Sequence, residues 1–374
     1  MLAVSMPRAP HAVGLILALY TPLVAYLFRA VQRTGDGAAY VLQAADGDAL
    51  DRSVHAGWLV PLSAWVRLGE IAGVDPSAAA NLAGAGVMAL GLALLWWLGR
   101  DVARQEGVPG ADAWALLAPA VAAGSATVWD AALFCEIYGP LAVAVLATVA
   151  LGRSGRPVGA ACAFTLAVAI HPGALALAPG VLVLLWSGTP RDVVFAALGS
   201  VLVLGWLLLL GDDGWYGPRG ITAATLDRSP WQSLQAAWRL LARDLGLTAL
   251  PVLLGAAVVV RADEGRRWVI GMLLCVLGAA IGLDRTSDNP GQLPSLLLVC
   301  VLAPLAARTV PRRQLRALAI GLLLLATLGV AEATTRHDRV ARRAARDVEV
   351  HARECMEPAP RTFRDQTLRS LACR

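Results

Sequence analysis

The side chains of this chain that could move a proton or hold an anion are few, and they fall between apolar runs. Asp36 lies in Thr34-Gly35-Asp36-Gly37-Ala38-Ala39-Tyr40, just after the first long apolar run, and His55 opens a second, shorter one. Asp130 and Glu136 belong to Val128-Trp129-Asp130-Ala131-Ala132-Leu133-Phe134-Cys135-Glu136-Ile137-Tyr138, an unusually apolar setting for two carboxylates. His171 precedes Pro172 between two further apolar runs, and Asp284, Arg285 and Asp288 join another pair. Carboxylates and imidazoles take and return protons, and a guanidinium binds phosphate through strong charge-assisted bonds. Ionisable groups at membrane depth are expensive to hold and mark functional sites by default. Each also admits a plainer role. Asp36 suits a solvated loop, as do Asp46, Asp48 and Asp51; Glu136 could pair with an arginine to fix helix packing. His171 could bond a carbonyl freed by Pro172, and Asp284 with Arg285 could form an ordinary loop ion pair.

The elements that must position these groups are helices in a bilayer. Hydrophobic residues make up 57% of the 374 and charged ones only 16%, with a mean hydropathy of +0.61. A soluble domain of that size needs more charge to cover its surface. Runs long enough to cross a membrane, roughly 20 residues each, occur at about 12–31, 77–99, 112–129, 133–151, 157–171, 173–187, 192–210, 245–260, 267–283, 292–308 and 314–333. The expected fold is therefore all-α, a polytopic bundle of about eleven transmembrane helices. His171-Pro172 is either a break between two spans or a bend within one. The first run follows Arg8, has no small-residue cleavage site after it, and reads as an uncleaved helix.

Charge sets the orientation. Connections at Arg100–Arg104, Arg153–Arg156, Arg191, Arg261–Arg267 and Arg308–Arg316 are rich in arginine, and alternate ones holding Asp36, Asp130, Glu136, Asp212 and Asp284 are acidic or mixed. The positive-inside rule then puts the N-terminus in the cytoplasm and the acidic connections outside. Residues 1–335 read as one transmembrane domain and 336–374 as a short extramembrane tail, which holds Cys355 and Cys373. On this count the tail lies outside, where those two could form a bridge. The segment from His55 to Leu68 is apolar but short, holds Pro61, and reads as a re-entrant or interfacial helix, as does the stretch around Trp231 and Trp238. The net charge of +5 comes from arginine alone, with no lysine in the chain and no basic cluster interleaved with aromatics, so no nucleic-acid partner is expected. No cysteine pair has the spacing of a zinc site, and no internal repeat of the transporter kind is evident.

Taken in order, these motifs resemble the GT-C superfamily of membrane glycosyltransferases, and within it bacterial relatives of the endoplasmic-reticulum transmembrane protein O-mannosyltransferase family. The residues that carry the likeness are Asp36-Gly37-Ala38-Ala39 after the first span, His55-Ala56-Gly57-Trp58-Leu59-Val60-Pro61-Leu62, Trp129 with Glu136-Ile137-Tyr138, and the later His171. They cover roughly residues 12–190. Three features depart from the family pattern. Ala39 stands where a second acid is expected, the double proline after His55 is missing, and the C-terminal part is short.

The resemblance implies a GT-C-type bundle with its re-entrant helix after the first span. It implies sugar transfer from a polyprenyl-phosphate donor to a protein or glycan acceptor, at the external face of a bacterial inner membrane. In that reading Asp36 is the base and Glu136 assists it or holds a divalent cation, magnesium or manganese. His55, His171 and Tyr138 bind phosphate or sugar. Arg285 is a phosphate partner by its position alone. Two other readings stay open on the residues themselves: a transporter or flippase that uses the same acids and histidines for coupling, and a non-catalytic membrane scaffold.

Overall fold

A computed structural model describes residues 40–41, 43–45, 55–133, 136–186, 189–210, 231–232, 235, 238, 242, 244–245, 249–259, 263–283 and 290–309. Among these residues the regular structure is entirely helical. The spans expected at 12–31 and 314–333, the tail, Asp36 and Arg285 lie outside the described residues.

Helix α1, Ala56–Ile71, follows from its spacing: Trp58, Leu59, Leu62, Ser63 and Val66 recur at helical period and form its buried side. Ser63 Oγ donates to Ala44 O at 2.8 Å, and Trp65 Nε1 donates to Ala79 O at 2.8 Å. These bonds hold α1 between the segment around residue 44 and the next helix. The outer side carries Leu68 and Ile71 at 61% and 85% exposure.

Helix α2, Pro76–Gln105, starts on Pro76 with Asp75 accepting from Ala78 N–H at 3.1 Å. Its 30 residues reach about 45 Å, enough to cross the roughly 30 Å of a hydrocarbon core. Short helices α3 (Ala111–Trp114) and α4 (Leu117–Ala123) follow, then α5 (Ala126–Leu133). The span expected as one piece over 112–129 is in fact broken, with an 82° bend between its two halves. Gly124 and Ser125 interrupt the ladder, and Trp129 Nε1 donates across the break to Ala123 O at 2.7 Å.

Helix α6 is Tyr138–Arg153 and α7 is Pro157–Ile170. His171 leaves the helix with φ −152° and ψ 116°, and Pro172–Leu177 then forms a 3-10 turn before α8, Ala178–Leu185. The histidine–proline pair is thus a break, as the extended preference of a residue before proline dictates. Then come α9 (Pro190–Leu210), α10 (Ala249–Val259), α11 (Asp263–Gly282) and α12 (Leu293–Cys300), with a 3-10 turn at Ala303–Arg308.

Among the described residues two helices are long and apolar enough to cross a membrane alone, Pro76–Gln105 and Gly265–Gly282, or three if the bent pair counts as one. Five shorter apolar helices accompany them. The regular spans expected over this region are therefore replaced in part by broken and short helices, because Pro, Gly and Ser punctuate runs that stay apolar throughout. Outward-facing Val193, Val194, Val201 and Leu204 line one side of α9, and Leu250 with Leu253 line α10. Such stripes are costly in water and neutral against lipid tails.

Close backbone approach holds α8 to α11. A Cβ on Gly180 would lie 2.6 Å from Gly271 O, and one on Gly271 would lie 2.7 Å from Leu184 Cγ. In lipid, where burial gives no drive, such small-residue contacts supply the packing.

The bundle has two chemically different ends. At one, Arg100 Nε meets Asp112 at 2.6 Å and Arg104 meets the same carboxylate at 2.9 Å. Arg153 Nε meets Asp101 at 2.8 Å and its guanidinium lies 4.9 Å from the Trp268 ring centroid. Arg308 pairs with Glu106, and Arg267 donates to Trp186 O at 3.0 Å. The described arginines of these connections thus share one end. The N-termini of α1 and α6 and the C-termini of α7 and α11 lie at the other.

Candidate active site

At the end remote from the arginines, four ring-bearing side chains come together. His55 is the N-cap residue of α1, and Gly57 lets that helix start directly against the end of α7: a Cβ there would lie 2.8 Å from both Ala169 C and Ile170 N. This approach brings His55 Nδ1 to 2.7 Å from Ile170 O. His171 follows Ile170, and the two imidazole centroids are 5.5 Å apart. Tyr138, first residue of α6, sits 6.0 Å from the His171 ring, and Tyr40 meets His55 edge-on at 5.7 Å.

The hydrogen bonds assign the tautomers. A carbonyl only accepts, so His55 carries its proton on Nδ1 and its neutral ring has Nε2 as the acceptor. His171 is the reverse. Its Nδ1 accepts from Gly173 N–H at 3.0 Å, so the neutral ring carries its proton on Nε2 and donates there. Gly173 is itself locked in place: a Cβ at that position would lie 2.1 Å from Gly282 O at the end of α11. The two neutral rings thus differ in tautomer, with Nε2 an acceptor on His55 and a donor on His171.

Asp130 lies within α5 and Glu136 just after it, two residues before Tyr138, and both are half-buried. Among the described residues no group of three or more His, Cys, Asp or Glu could hold a metal ion. His55, Glu136, Tyr138 and His171 are the sequence-predicted residues that the fold can place, and they fall at one end. Asp36 and Arg285 lie outside the described residues.

Several polar groups here were missed by sequence reasoning. Tyr40 stands four residues after Asp36, and that spacing was its only signal. Thr127 Oγ1 donates to Asp244 Oδ2 at 2.5 Å, tying α5 to a distant segment. The Trp58 indole N–H is buried without a partner beside His55.

No family model matches the chain, and no curated protein matches it in sequence. Solved structures do match it, among them two of one protein. The crystal structure of ArnT from Cupriavidus metallidurans bound to undecaprenyl phosphate matches with a TM-score of 0.61 at 16% identity, over 97% of this chain and 69% of that one. The apo structure of the same ArnT matches with a TM-score of 0.59 at 16% identity, over 98% of this chain and 74% of that one. The chain shares the fold of ArnT. The likeness to ArnT runs the length of the chain, well past the region of roughly residues 12–190 that carried the motifs.

Proposed function

We propose that the protein transfers a sugar from a polyprenyl-phosphate donor to a protein or glycan acceptor. The observation that carries this reading is the convergence of His55, His171 and Tyr138, with Glu136 nearby, at the non-arginine end of a fold shared with a protein that binds undecaprenyl phosphate. In this reading about eleven spans cross a bacterial inner membrane, with the N-terminus in the cytoplasm. The positive-inside rule puts the arginine end inside and the histidine end outside. α1 lies along the outer surface as a re-entrant helix where donor lipids can approach.

The chemistry balances as a single displacement. Asp36 takes the proton of the acceptor hydroxyl as its oxygen attacks the anomeric carbon. The bond from that carbon to the phosphate oxygen breaks, the configuration inverts, and polyprenyl phosphate leaves with the bonding pair. His171 Nε2–H and Arg285 stabilise the charge that develops on the departing phosphate. His55, through Nε2, and Tyr138 orient hydroxyls of the sugar or acceptor, and Glu136 holds the base in place. The described residues do not by themselves form a cation site. Magnesium or manganese would need Asp36 beside Glu136.

The test is transfer by purified protein from a panel of undecaprenyl-phosphate sugars to peptide and glycan acceptors. Wild type releases undecaprenyl phosphate, and Asp36→Asn, with folding intact, loses at least about 100-fold in rate. Absence of transfer from every donor contradicts the reading and favours transport or a scaffold. Transfer unchanged in Asp36→Asn removes Asp36 as the base.

A further inference from the structure

Gln292 closes the 3-10 turn Pro290–Gln292 and stands at the N-cap of α12, where its side chain makes no capping bond. It is only 4% exposed, and both Nε2 and Oε1 are buried with no hydrogen-bond partner. A buried amide that leaves donor and acceptor both unmade weakens the fold, and such groups need a reason. A hydrophobic residue of the same size would fill that space without loss.

Its location supplies the reason. A Cβ on Gly291 would lie 2.7 Å from Leu283 O, and one on Gly282 would lie 2.6 Å from Gly173 O. Gly173 in turn donates to His171 Nδ1 at 3.0 Å. Three backbone segments in direct contact therefore lead from His171 to Gln292. α12 also packs on α6, whose first residue at this end is Tyr138. The amide belongs to the histidine end of the bundle.

Its chemistry selects among ligands. An ionised phosphate offers acceptors only, and a prenyl chain offers neither donor nor acceptor. A hydroxyl accepts one hydrogen bond and donates another, so hydroxyls satisfy both atoms of the amide. We propose that Gln292 reads the sugar of the donor, with Nε2 donating to and Oε1 accepting from hydroxyls of the group being transferred. This inference rests on the glycosyl-transfer reading and adds a specificity-determining residue to it. A site that hydrogen-bonds a hydroxyl discriminates strongly against a ligand that lacks it, because the protein groups are then left unpaired.

The experiment compares two probes on purified full-length protein: undecaprenyl phosphate, and the same lipid phosphate carrying a hexose such as mannose or galactose. Gln292→Met keeps the volume and removes both polar atoms. The variant is expected to melt at or above the wild-type temperature and to bind undecaprenyl phosphate as wild type does. It is expected to bind at least one sugar-linked lipid roughly tenfold more weakly or worse. Unchanged binding of the sugar-linked lipids overturns the assignment. Equal loss for both probes, or a lower melting temperature, overturns it in favour of a packing or water-bridging role. If Gln292→Met does not fold, Gln292→Asn, one methylene shorter, must show the same selective loss. Wild type that binds neither probe overturns the glycosyl-transfer reading itself, whereas wild type that binds both while the variant matches it overturns only Gln292.

Discussion

His55 and His171 are joined to backbone through the same ring nitrogen, Nδ1, and with opposite sense. One donates to Ile170 O and the other accepts from Gly173 N–H. In the proposed mechanism His171 has two separable jobs, capping the 3-10 turn and donating from Nε2. His171→Asn separates them, because an amide oxygen can still accept from Gly173 while the ring donor is lost. The variant is expected to melt within a few degrees of wild type and to lose about 100-fold in kcat, the cost of one donor to a developing oxyanion. A thermal melt beside an initial-rate assay checks both. A lower melting temperature with an unchanged rate would leave His171 with capping alone. At this scale the sequence was informative where a residue type jarred with its surroundings. His55, Glu136 and His171 stood out because ionisable groups are rare within apolar runs. Tyr40 and Gln292 did not, since an uncharged residue interrupts no hydropathy pattern and its meaning comes only from neighbours far away in the chain.

Helix breaks decide where those residues arrive. The break at His171-Pro172 was legible, because proline removes a donor and restricts the residue before it. The 82° bend between α4 and α5 was not, because Gly124 and Ser125 leave the run apolar enough to pass as one span. The continuation of α2 to Gln105 was also hidden, since arginines beyond Gly99 read as a loop. The approach of α1 to α7 depends on Gly57, and that dependence is testable. Gly57→Ala would place its Cβ 2.8 Å from Ala169 C and Ile170 N, so α1 must shift and draw His55 from the Ile170 carbonyl. The expected cost is about 1–3 kcal/mol of stability, with a larger fractional loss of activity. Gly86→Ala in α2, with nothing within 4 Å of the added Cβ, is the control and should leave activity intact. Equal, small effects of the two substitutions on rate and melting would show that the contact does not position the site.

The whole molecule is polar along its length. Arg100, Arg104, Arg153 and Arg308 are engaged at one end, and the histidines with Tyr138 and Glu136 gather at the other. The alternation of arginine-rich and acidic connections made this polarity legible without coordinates, because the rule concerns charge near helix ends and not packing. The route by which the helices deliver one cluster was not legible, since it depends on close contacts such as Gly173 against Gly282. In the proposed function the histidine end meets the lipid phosphate, and a photoactivatable polyprenyl phosphate tests this most directly. After irradiation of the purified protein and mapping of the labelled peptides, cross-links are expected around His55–Leu62, Tyr138 and His171, competed away by undecaprenyl phosphate. Competable labels confined to the arginine end, around Arg100–Glu106 and Arg153–Arg156, would contradict it.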